Sequence, residues 1–149
     1  MIACLRLLSA LCLAALLAAC ASSPSSSLGD LPRTPDASIE QLLEQATKAS
    51  TPEKAAMLRL SAADLAYHQN NPGRSSQILA QVPLDVLKPA AQVFASTLAA
   101  ELAMARNQPK AALAALNHPS LQSLKELPTD QQIRTGTVHA RAYEADGQT

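Results

Sequence analysis

The residues that could carry chemistry in this sequence are few and widely spaced. Asp64 and His68 are four positions apart, so on a helix they share a face and could form half of a metal site or a catalytic pair. The sequence places no third ligand beside them, and such pairs are usually solvated. Glu40 and Glu44 also share a helical face, but paired carboxylates need a cleft that shifts a pKa before they do acid–base work, and the sequence indicates none.

The sequence also lacks the local motifs of common enzyme classes. It contains no glycine-rich phosphate-binding loop and no Gly-x-Ser-x-Gly nucleophile elbow. The serines are concentrated in a low-complexity stretch near the amino terminus, where a catalytic geometry could not be held. We therefore expect a protein that is not an enzyme and that uses neither a cofactor nor a metal.

Cys20 is the residue with the clearest chemical role. An apolar run from Leu7 to Ala19 precedes it, which is too short to span a membrane and suits a secretory signal. Arg6 and the amino terminus supply the positive charge that precedes such a run. Residues 1–19 are therefore predicted to be a signal peptide that is cleaved between Ala19 and Cys20.

The residues around this cleavage point resemble a lipobox, the sequence at which bacterial lipoproteins are lipidated: Leu17, Ala18, Ala19 and Cys20. The resemblance implies that a diacylglycerol alkylates the Cys20 thiol and that the new terminal amine is acylated, since two or three acyl chains anchor a protein stably. Ala21 stands where retained lipoproteins have aspartate, which by resemblance favours the outer membrane. The alternative is an ordinary buried cysteine after a plain secretory signal.

Composition narrows the class of the mature protein. The full chain has 12 basic and 12 acidic residues, and loss of Arg6 leaves 11 against 12, a net charge of about −1. This charge excludes the basic surface of a nucleic-acid-binding protein. Cleavage of the signal peptide removes Cys4 and Cys12, so Cys20 has no partner for an intramolecular disulfide. Abundant alanine and leucine with few aromatic residues favour helices over strands, and the predicted fold class is all-α.

Residues 20–37 are predicted to contain the lipidated cysteine and a flexible tether, because a Ser/Pro-rich segment buries too little apolar surface to order itself. Helices are predicted in residues 38–149. Ser38 and Gln41 fit a capping box, and Thr51 fits the N-cap of a second helix. Further helices are predicted to start near Pro72, Pro89, Pro109 and Thr129, the last with a second capping-box match at Gln132.

A loose internal repeat underlies these helices. A shift of 37 places Ala66 on Ala103 and Pro72 on Pro109, and a shift of 39 places Ala103 on Ala142. Units of this kind resemble tetratricopeptide repeats (TPRs) of about 34 residues. The resemblance implies an antiparallel helix-hairpin solenoid in which each unit buries its face on the next. The last helix carries an apolar stripe without a following partner, so we expect the domain to be incomplete at its carboxyl end: Ile133, Gly136, Ala140 and Tyr143.

The order of these parts resembles the amino-terminal portion of the LpoA family, the outer-membrane lipoprotein activators of penicillin-binding proteins. Besides the lipobox and tether, three stretches carry the resemblance: Ile39-Glu40-Gln41-Leu42-Leu43, Arg59-Leu60-Ser61-Ala62-Ala63 and Gln77-Ile78-Leu79-Ala80-Gln81-Val82-Pro83. It implies a lipid-anchored protein on the periplasmic face of the outer membrane that activates a bifunctional class A penicillin-binding protein. The activating contact is implied for a carboxy-terminal domain outside this sequence. Residues 38–149 are then a TPR-like scaffold and spacer.

A second interpretation is a TPR lipoprotein that assembles another envelope machine, such as a pilus secretin or an outer-membrane protein insertase. Such proteins tend to have repeats nearer to the usual TPR length and more tyrosines at repeat positions. The longer spacing and the two tyrosines of this chain favour the activator. Both interpretations predict a protein whose partners are other proteins and a membrane, without nucleic acid or a small-molecule substrate.

Overall fold

A computed structural model of the chain describes residues 27–33 and 36–147. This part contains six α-helices and two 3₁₀ segments, and no β-strand. The helices are α1 (Ile39–Thr47), α2 (Pro52–His68), α3 (Pro72–Leu79), α4 (Pro89–Ala105), α5 (Pro109–Ala115) and α6 (Thr129–Ala145), and the 3₁₀ segments are Leu84–Val86 and Pro119–Glu126. The protein is an all-α stack of helix hairpins, as the composition and the repeat predict.

The first two helices begin where local capping rules place them. The Ser38 hydroxyl accepts a hydrogen bond from the Gln41 amide at 3.2 Å, and the Gln41 side chain accepts one from the Ser38 amide at 2.8 Å. The Thr51 hydroxyl accepts from the Lys54 amide at 3.2 Å, and proline follows in the first turn of α2. Both predicted starts are confirmed.

The predicted capping box at the start of α6 is wrong. The helix begins at Thr129 with Pro128 as its N-cap, and no side chain caps it. Gln132 donates its side-chain amide to the Leu127 carbonyl at 2.7 Å, while Gln131 is buried with 3% of its surface exposed. Contacts with neighbouring segments therefore occupy the side chains that a local capping rule assigns to the helix end.

Three helices of equal length form the repeating element. The α2, α4 and α6 helices each have 17 residues, and each is followed two positions later by a residue of positive φ: Asn70 at 60°, Asn107 at 57° and Gly147 at 75°. This left-handed conformation ends the helix and turns the chain back. The α2 and α4 helices start 37 positions apart, as predicted, whereas the interval from the start of α4 to the start of α6 is one position longer than the predicted 39. The predicted second shift is therefore wrong by one, and the 3₁₀ segment before α6 is longer than the one before α4, with 8 residues against 3.

The core consists of three clusters of buried side chains along the stack, and α4 contributes residues to each of them. The α2 helix packs on α1, α3 and α4, and α4 packs on α3, α5 and α6. Leu98 and Leu102 of α4 are 0% and 3% exposed and belong to the same apolar cluster as Leu60 of α2. The two leucines therefore lie in the core between repeats, as their helical spacing predicts.

The predicted apolar stripe of α6 faces away from this core. Ile133 and Tyr143 are 63% and 40% exposed, whereas the buried face holds two polar residues and two apolar ones: Gln131, Thr135, Val138 and Ala142. Hydrophobic periodicity marks the exposed face here, because half of the buried face is polar and satisfied by hydrogen bonds. The stripe, for which the sequence predicts no following partner helix, thus lies at the surface of the described part of the chain.

Residues 27–33, here called the strap, lie against the helices although the sequence places them in the tether. Leu28 and Leu31 pack on a small apolar cluster that contains Val93 of α4. The Leu28 carbonyl also accepts a hydrogen bond from the Ala90 amide in the first turn of α4, at 2.9 Å. The strap thus partly buries two leucines and satisfies an end amide of α4.

Candidate functional site

The predicted lipid-attachment site lies outside the described residues: Leu17, Ala18, Ala19 and Cys20. The strap nevertheless limits the distance between this site and the helices. Ser27 is seven positions after Cys20, and a fully extended chain spans about 3.5 Å per position, so the two Cα atoms are at most about 25 Å apart.

The Asp64 and His68 side chains lie near each other as predicted, but Asp64 has a stronger partner. His68 Nε2 is 3.5 Å from the Asp64 carboxylate, whereas Arg134 of α6 donates to the same carboxylate oxygen at 2.7 Å. Among the described residues, no group of three or more His, Cys, Asp or Glu side chains could hold a metal ion. The pair is held by a guanidinium rather than arranged as a metal site.

Arg134 connects the three long helices. Its Nε donates to Oε1 of Glu101 on α4 at 2.9 Å and its Nη2 to Oε2 at 2.5 Å, in addition to the bond with Asp64 on α2. The guanidinium carbon also lies 4.8 Å from the centre of the Phe94 ring. We call Asp64, Phe94, Glu101 and Arg134 the Arg134 cluster. Its three charged side chains are only 14–20% exposed.

The electrostatics of the Arg134 cluster suit a structural role. Burial by itself lowers the pKa of Arg134, but the hydrogen bond to Glu101 and the charge of Asp64 outweigh it, so the pKa is raised above its ordinary value. A guanidinium of this kind stays protonated at physiological pH. The cluster can therefore hold α2, α4 and α6 in register.

A buried polar network fixes the contact between α4 and α6. The hydroxyls of Thr97 and Thr135 are 2.8 Å apart, and the Gln131 amide donates to Thr135 at 3.0 Å and to Thr97 at 3.3 Å. All three residues are at most 3% exposed. A buried network with its groups paired specifies one alignment of the two helices, because any shift would leave polar groups unpaired.

Three further side chains, of which Glu40 and Glu44 were considered from the sequence, lie at the surface or cap a turn. Glu40 pairs with Arg74 of α3 at 2.9 Å, and Glu44 pairs with Lys48 at 2.6 Å, with both carboxylates well exposed. The ring of His118 accepts a hydrogen bond from the Ser120 amide at the start of the second 3₁₀ segment. The structure therefore does not bring these side chains together in a shared cleft.

Two open depressions were not predicted from the sequence. One, of about 690 Å³, lies between the strap, α1 and α2, with Met57 and Leu58 in its wall and Lys54 at its rim. The other, of about 500 Å³, lies over Ala95 and Ala99 of α4 between the carboxyl ends of α3 and α5. The i,i+4 spacing of these two alanines is the one sequence signal that could have indicated the second depression.

The fold and these clusters define the class of the protein: an all-α stack of antiparallel helix hairpins whose buried charges bind one another across the repeats. The chain belongs to the LppC family, since the family described as "LppC putative lipoprotein" matches residues 32–149. The match spans every described helix, and the family relationship makes this a membrane-anchored lipoprotein. Comparison with curated proteins and with solved structures gave no match. No helix in the described ranges is long and apolar enough to cross a membrane.

Proposed function

We propose that the protein is a non-catalytic lipoprotein of the outer membrane that regulates peptidoglycan synthesis by activating a bifunctional class A penicillin-binding protein. The observation that carries the proposal is the LppC family match over the helical stack, because the LpoA activators belong to that family. In the proposal, residues 38–149 are a scaffold and spacer, and the contact that activates the synthase lies in another part of the protein.

The internal contacts of the stack support a mechanical role for this segment. Three charged side chains that are 14–20% exposed bind one another in the Arg134 cluster, and the buried polar groups of Gln131, Thr97 and Thr135 are also paired with one another. These bonds run between the three long helices and resist their sliding or separation. A segment built in this way is stiff, so it fixes the position of one of its ends relative to the other.

The strap supports an anchoring role at the amino-terminal end. If Cys20 carries the lipid, the membrane surface lies within about 25 Å of Ser27 plus the length of the lipid linkage. The strap is fixed to α4 through the Leu28–Ala90 hydrogen bond of 2.9 Å and the packing of Leu31. The lipid anchor would therefore hold the stack close to the membrane and restrict its orientation, while the remainder of the protein reaches the synthase.

The experiment that tests this function uses the complete gene product, expressed from Ala21 onward so that it is soluble without lipid. It is added to a purified bifunctional class A penicillin-binding protein with its lipid-linked substrate, and the cross-linked fraction of the product is measured by separation of muropeptides. We expect a severalfold faster rise of cross-linking. The controls are synthase alone and the complete gene product incubated with finished peptidoglycan.

Two outcomes would contradict the proposal. An unchanged rate of cross-linking would remove the activator function and favour assembly of another envelope machine. Release of soluble muropeptides from finished peptidoglycan without any synthase would show that the protein is an enzyme.

A further inference from the structure

The larger of the two depressions lies between the strap, α1 and α2, and it is here called the strap depression. Its volume of about 690 Å³ falls within the range of about 300–1,000 Å³ that is usual for ligand sites. Its lining combines apolar, polar and charged side chains, among them Leu31, Arg33, Lys54, Met57, Leu58 and Ser61. A ligand site typically has such a lining, in which apolar surface is combined with a few polar groups that orient the ligand.

Part of the strap depression is apolar and open to a ligand. Met57 and Leu58 of α2 and Leu31 of the strap are partly buried, and they pack on the apolar cluster beneath them. Leu42 of α1 also lines the depression and is 1% exposed. An apolar side chain that contacts Met57 and Leu58 would remove their remaining exposed surface from water, which favours binding.

Two polar residues of α2 lie on either side of this apolar part. Lys54 precedes Met57 by three positions and Ser61 follows it by four, so the three residues share one face of the helix. From Lys54 to Ser61 the helix rises about 10.5 Å, since each residue contributes about 1.5 Å. An extended peptide rises about 3.3 Å per residue, so three or four residues match this length.

The depression also contains polar groups that lack a partner. Ser61 is 9% exposed, and its hydroxyl has no hydrogen-bond partner among the described residues. On the strap, the backbone amides of Asp30 and Leu31 have no backbone partner in the described ranges. A buried hydroxyl without a partner is costly, and a peptide group supplies both a donor and an acceptor. An extended peptide can therefore bond with both sides of the depression.

The rim of the strap depression has more basic than acidic side chains. Arg33, Lys54 and Lys88 line it, against Asp30 and Glu53. Glu53 lies 3.9 Å from Lys88, so these two charges largely offset each other. Lys54 forms no ion pair with the described residues, and it lies in the first turn of α2, where the helix dipole is positive. The rim therefore favours a carboxylate on the ligand.

We propose that the strap depression binds a short extended peptide through its free carboxyl end. The carboxylate lies at Lys54, an apolar side chain of about the size of leucine contacts Met57 and Leu58, and a peptide group forms a hydrogen bond with Ser61. This binding activity is separate from the activation of a synthase, so either proposal can fail without the other.

The surface of a partner protein fits this place less well than a short peptide. A specific protein interface buries about 800 Å² on each partner, which exceeds the apolar part of the depression. The exposed residues of α1 beside the depression are polar or charged: Glu40, Gln41, Glu44, Gln45, Thr47 and Lys48. The apolar contact is therefore confined to the depression itself.

The test uses the complete gene product, expressed from Ala21 with ¹³C-labelled methionine methyl groups. The NMR signal of Met57, assigned with a Met57→Leu variant, reports on the depression, and Met104 is the control because it does not line it. The probes are four acetylated tetrapeptides of alanine with one leucine, which stands at a different position in each. Each probe is used as the free acid and as the carboxamide.

We expect at least one of the free acids to shift the Met57 signal saturably and to leave the Met104 signal in place. Its carboxamide should need an at least tenfold higher concentration for the same shift. Lys54→Gln should weaken binding of the acid at least fivefold, and Ser61→Ala at least threefold. Lys110→Gln on α5 is the matched control and should leave binding unchanged, because Lys110 is exposed and does not line the depression.

Three outcomes would overturn the proposal, once circular dichroism has shown that each variant is folded. The first is a Met57 signal that none of the four acids shifts at millimolar concentration. The second is equal binding of acid and carboxamide, which would show an apolar groove open to an internal segment of a partner protein. The third is an equal effect of the Lys54 and Lys110 substitutions, which would show that the rim does not hold the carboxylate.

Discussion

Arg134 and Asp64 are 70 positions apart in the chain, and the Arg134 guanidinium donates to the Asp64 carboxylate at 2.7 Å. The same guanidinium binds Glu101, so one side chain of the third long helix is bonded to both earlier ones. We expect this arrangement to make the repeats unfold together rather than one by one, because opening either interface breaks charged bonds of the same group.

Replacement of Arg134 by glutamine should destabilise the protein by about 2–4 kcal/mol. The substitution leaves Asp64 and Glu101 facing each other with little solvent, and unpaired charges at such sites cost more than the pair itself contributes. The measurement is the free energy of unfolding in urea, followed by far-ultraviolet circular dichroism. The transition should also broaden, because α6 would no longer be bonded to α2.

The control for Arg134→Gln is Lys48→Gln, which removes an ion pair of 2.6 Å between exposed side chains. Exposed pairs of this kind contribute about 0–1 kcal/mol. Equal effects of the two substitutions would show that the Arg134 cluster is no more than a surface pair.

The Arg134 cluster could not be predicted from the sequence, whereas the starts of the first two helices could. Capping at Ser38 and Thr51 follows from residues within one turn, so local rules predict both starts correctly. Arg134 lies next to Ile133 on a helix whose apolar stripe faces outward, so no periodic signal marks it as partly buried. Its partners lie on two other helices, and only the packing of the stack brings them together.

Replacement of Leu98 or Leu102 by alanine should cost about 2–5 kcal/mol each, because both side chains fill the core between α2 and α4. Leu84→Ala is the control, since Leu84 is 37% exposed and should lose less than about 1 kcal/mol. Urea unfolding measures all three. An unchanged midpoint for both core variants would contradict the register of the repeat.

The attachment of the strap to α4 can be tested by substitution of Gly29. A Cβ atom at this position would lie 2.6 Å from Cβ of Lys88, and Gly29 has a φ of 76° that other residues adopt at a cost of about 1–2 kcal/mol. Gly29→Ala should therefore detach the strap and expose the Ala90 amide, which donates to Leu28 at 2.9 Å. We expect hydrogen exchange at Ala90, measured by NMR, to become at least fivefold faster.

Gly136→Ala is the matched control for Gly29→Ala. A Cβ atom at Gly136 meets no atom within 4 Å, and the residue lies inside α6. Alanine there should stabilise the helix by up to about 1 kcal/mol and leave exchange at Ala90 unchanged. Unchanged exchange in both variants would show that the strap does not depend on the close approach of Gly29 to Lys88.

The Tyr67 phenol should ionise at a higher pH than the phenol of a free tyrosine. Burial raises the pKa of its phenol above the ordinary value of 10.0, and the negative charge of Glu101 raises it further, against an opposing effect of Arg134. Since the unfolded chain then releases this proton at lower pH than the folded chain, stability should fall as pH rises above about 10.

The Tyr67 prediction is measured by phenolate absorbance in a Tyr143→Phe variant, which leaves Tyr67 as the tyrosine observed. The midpoint should lie above 10 in the folded protein and near 10 in urea. Adding Arg134→Gln should raise the folded midpoint further. A folded midpoint at or below 10 would contradict the partial burial of the Tyr67 phenol and the influence of the Glu101 charge on it.

The sequence predicts the fold more completely than it predicts the function. The positions of proline, asparagine and glycine indicate where helices start and stop, because each of these residues favours particular conformations of its own backbone. The α6 helix shows the boundary of that reasoning: Gln131 and Thr135 are polar residues in a core, and their burial depends on a partner, Thr97, that is 34 and 38 positions away. The strap likewise depends on contacts with α4 that its Ser/Pro-rich composition does not indicate.

The central claim is that residues 38–149 hold and position an activator without activating the synthase themselves. The most direct test compares residues 21–149 with the complete gene product in the cross-linking assay, at equal concentration and after the segment's helical circular dichroism spectrum has been verified. We predict that the complete gene product raises the initial rate of cross-linking severalfold and that the segment leaves it at the rate of synthase alone. Clear stimulation by the segment would contradict the claim.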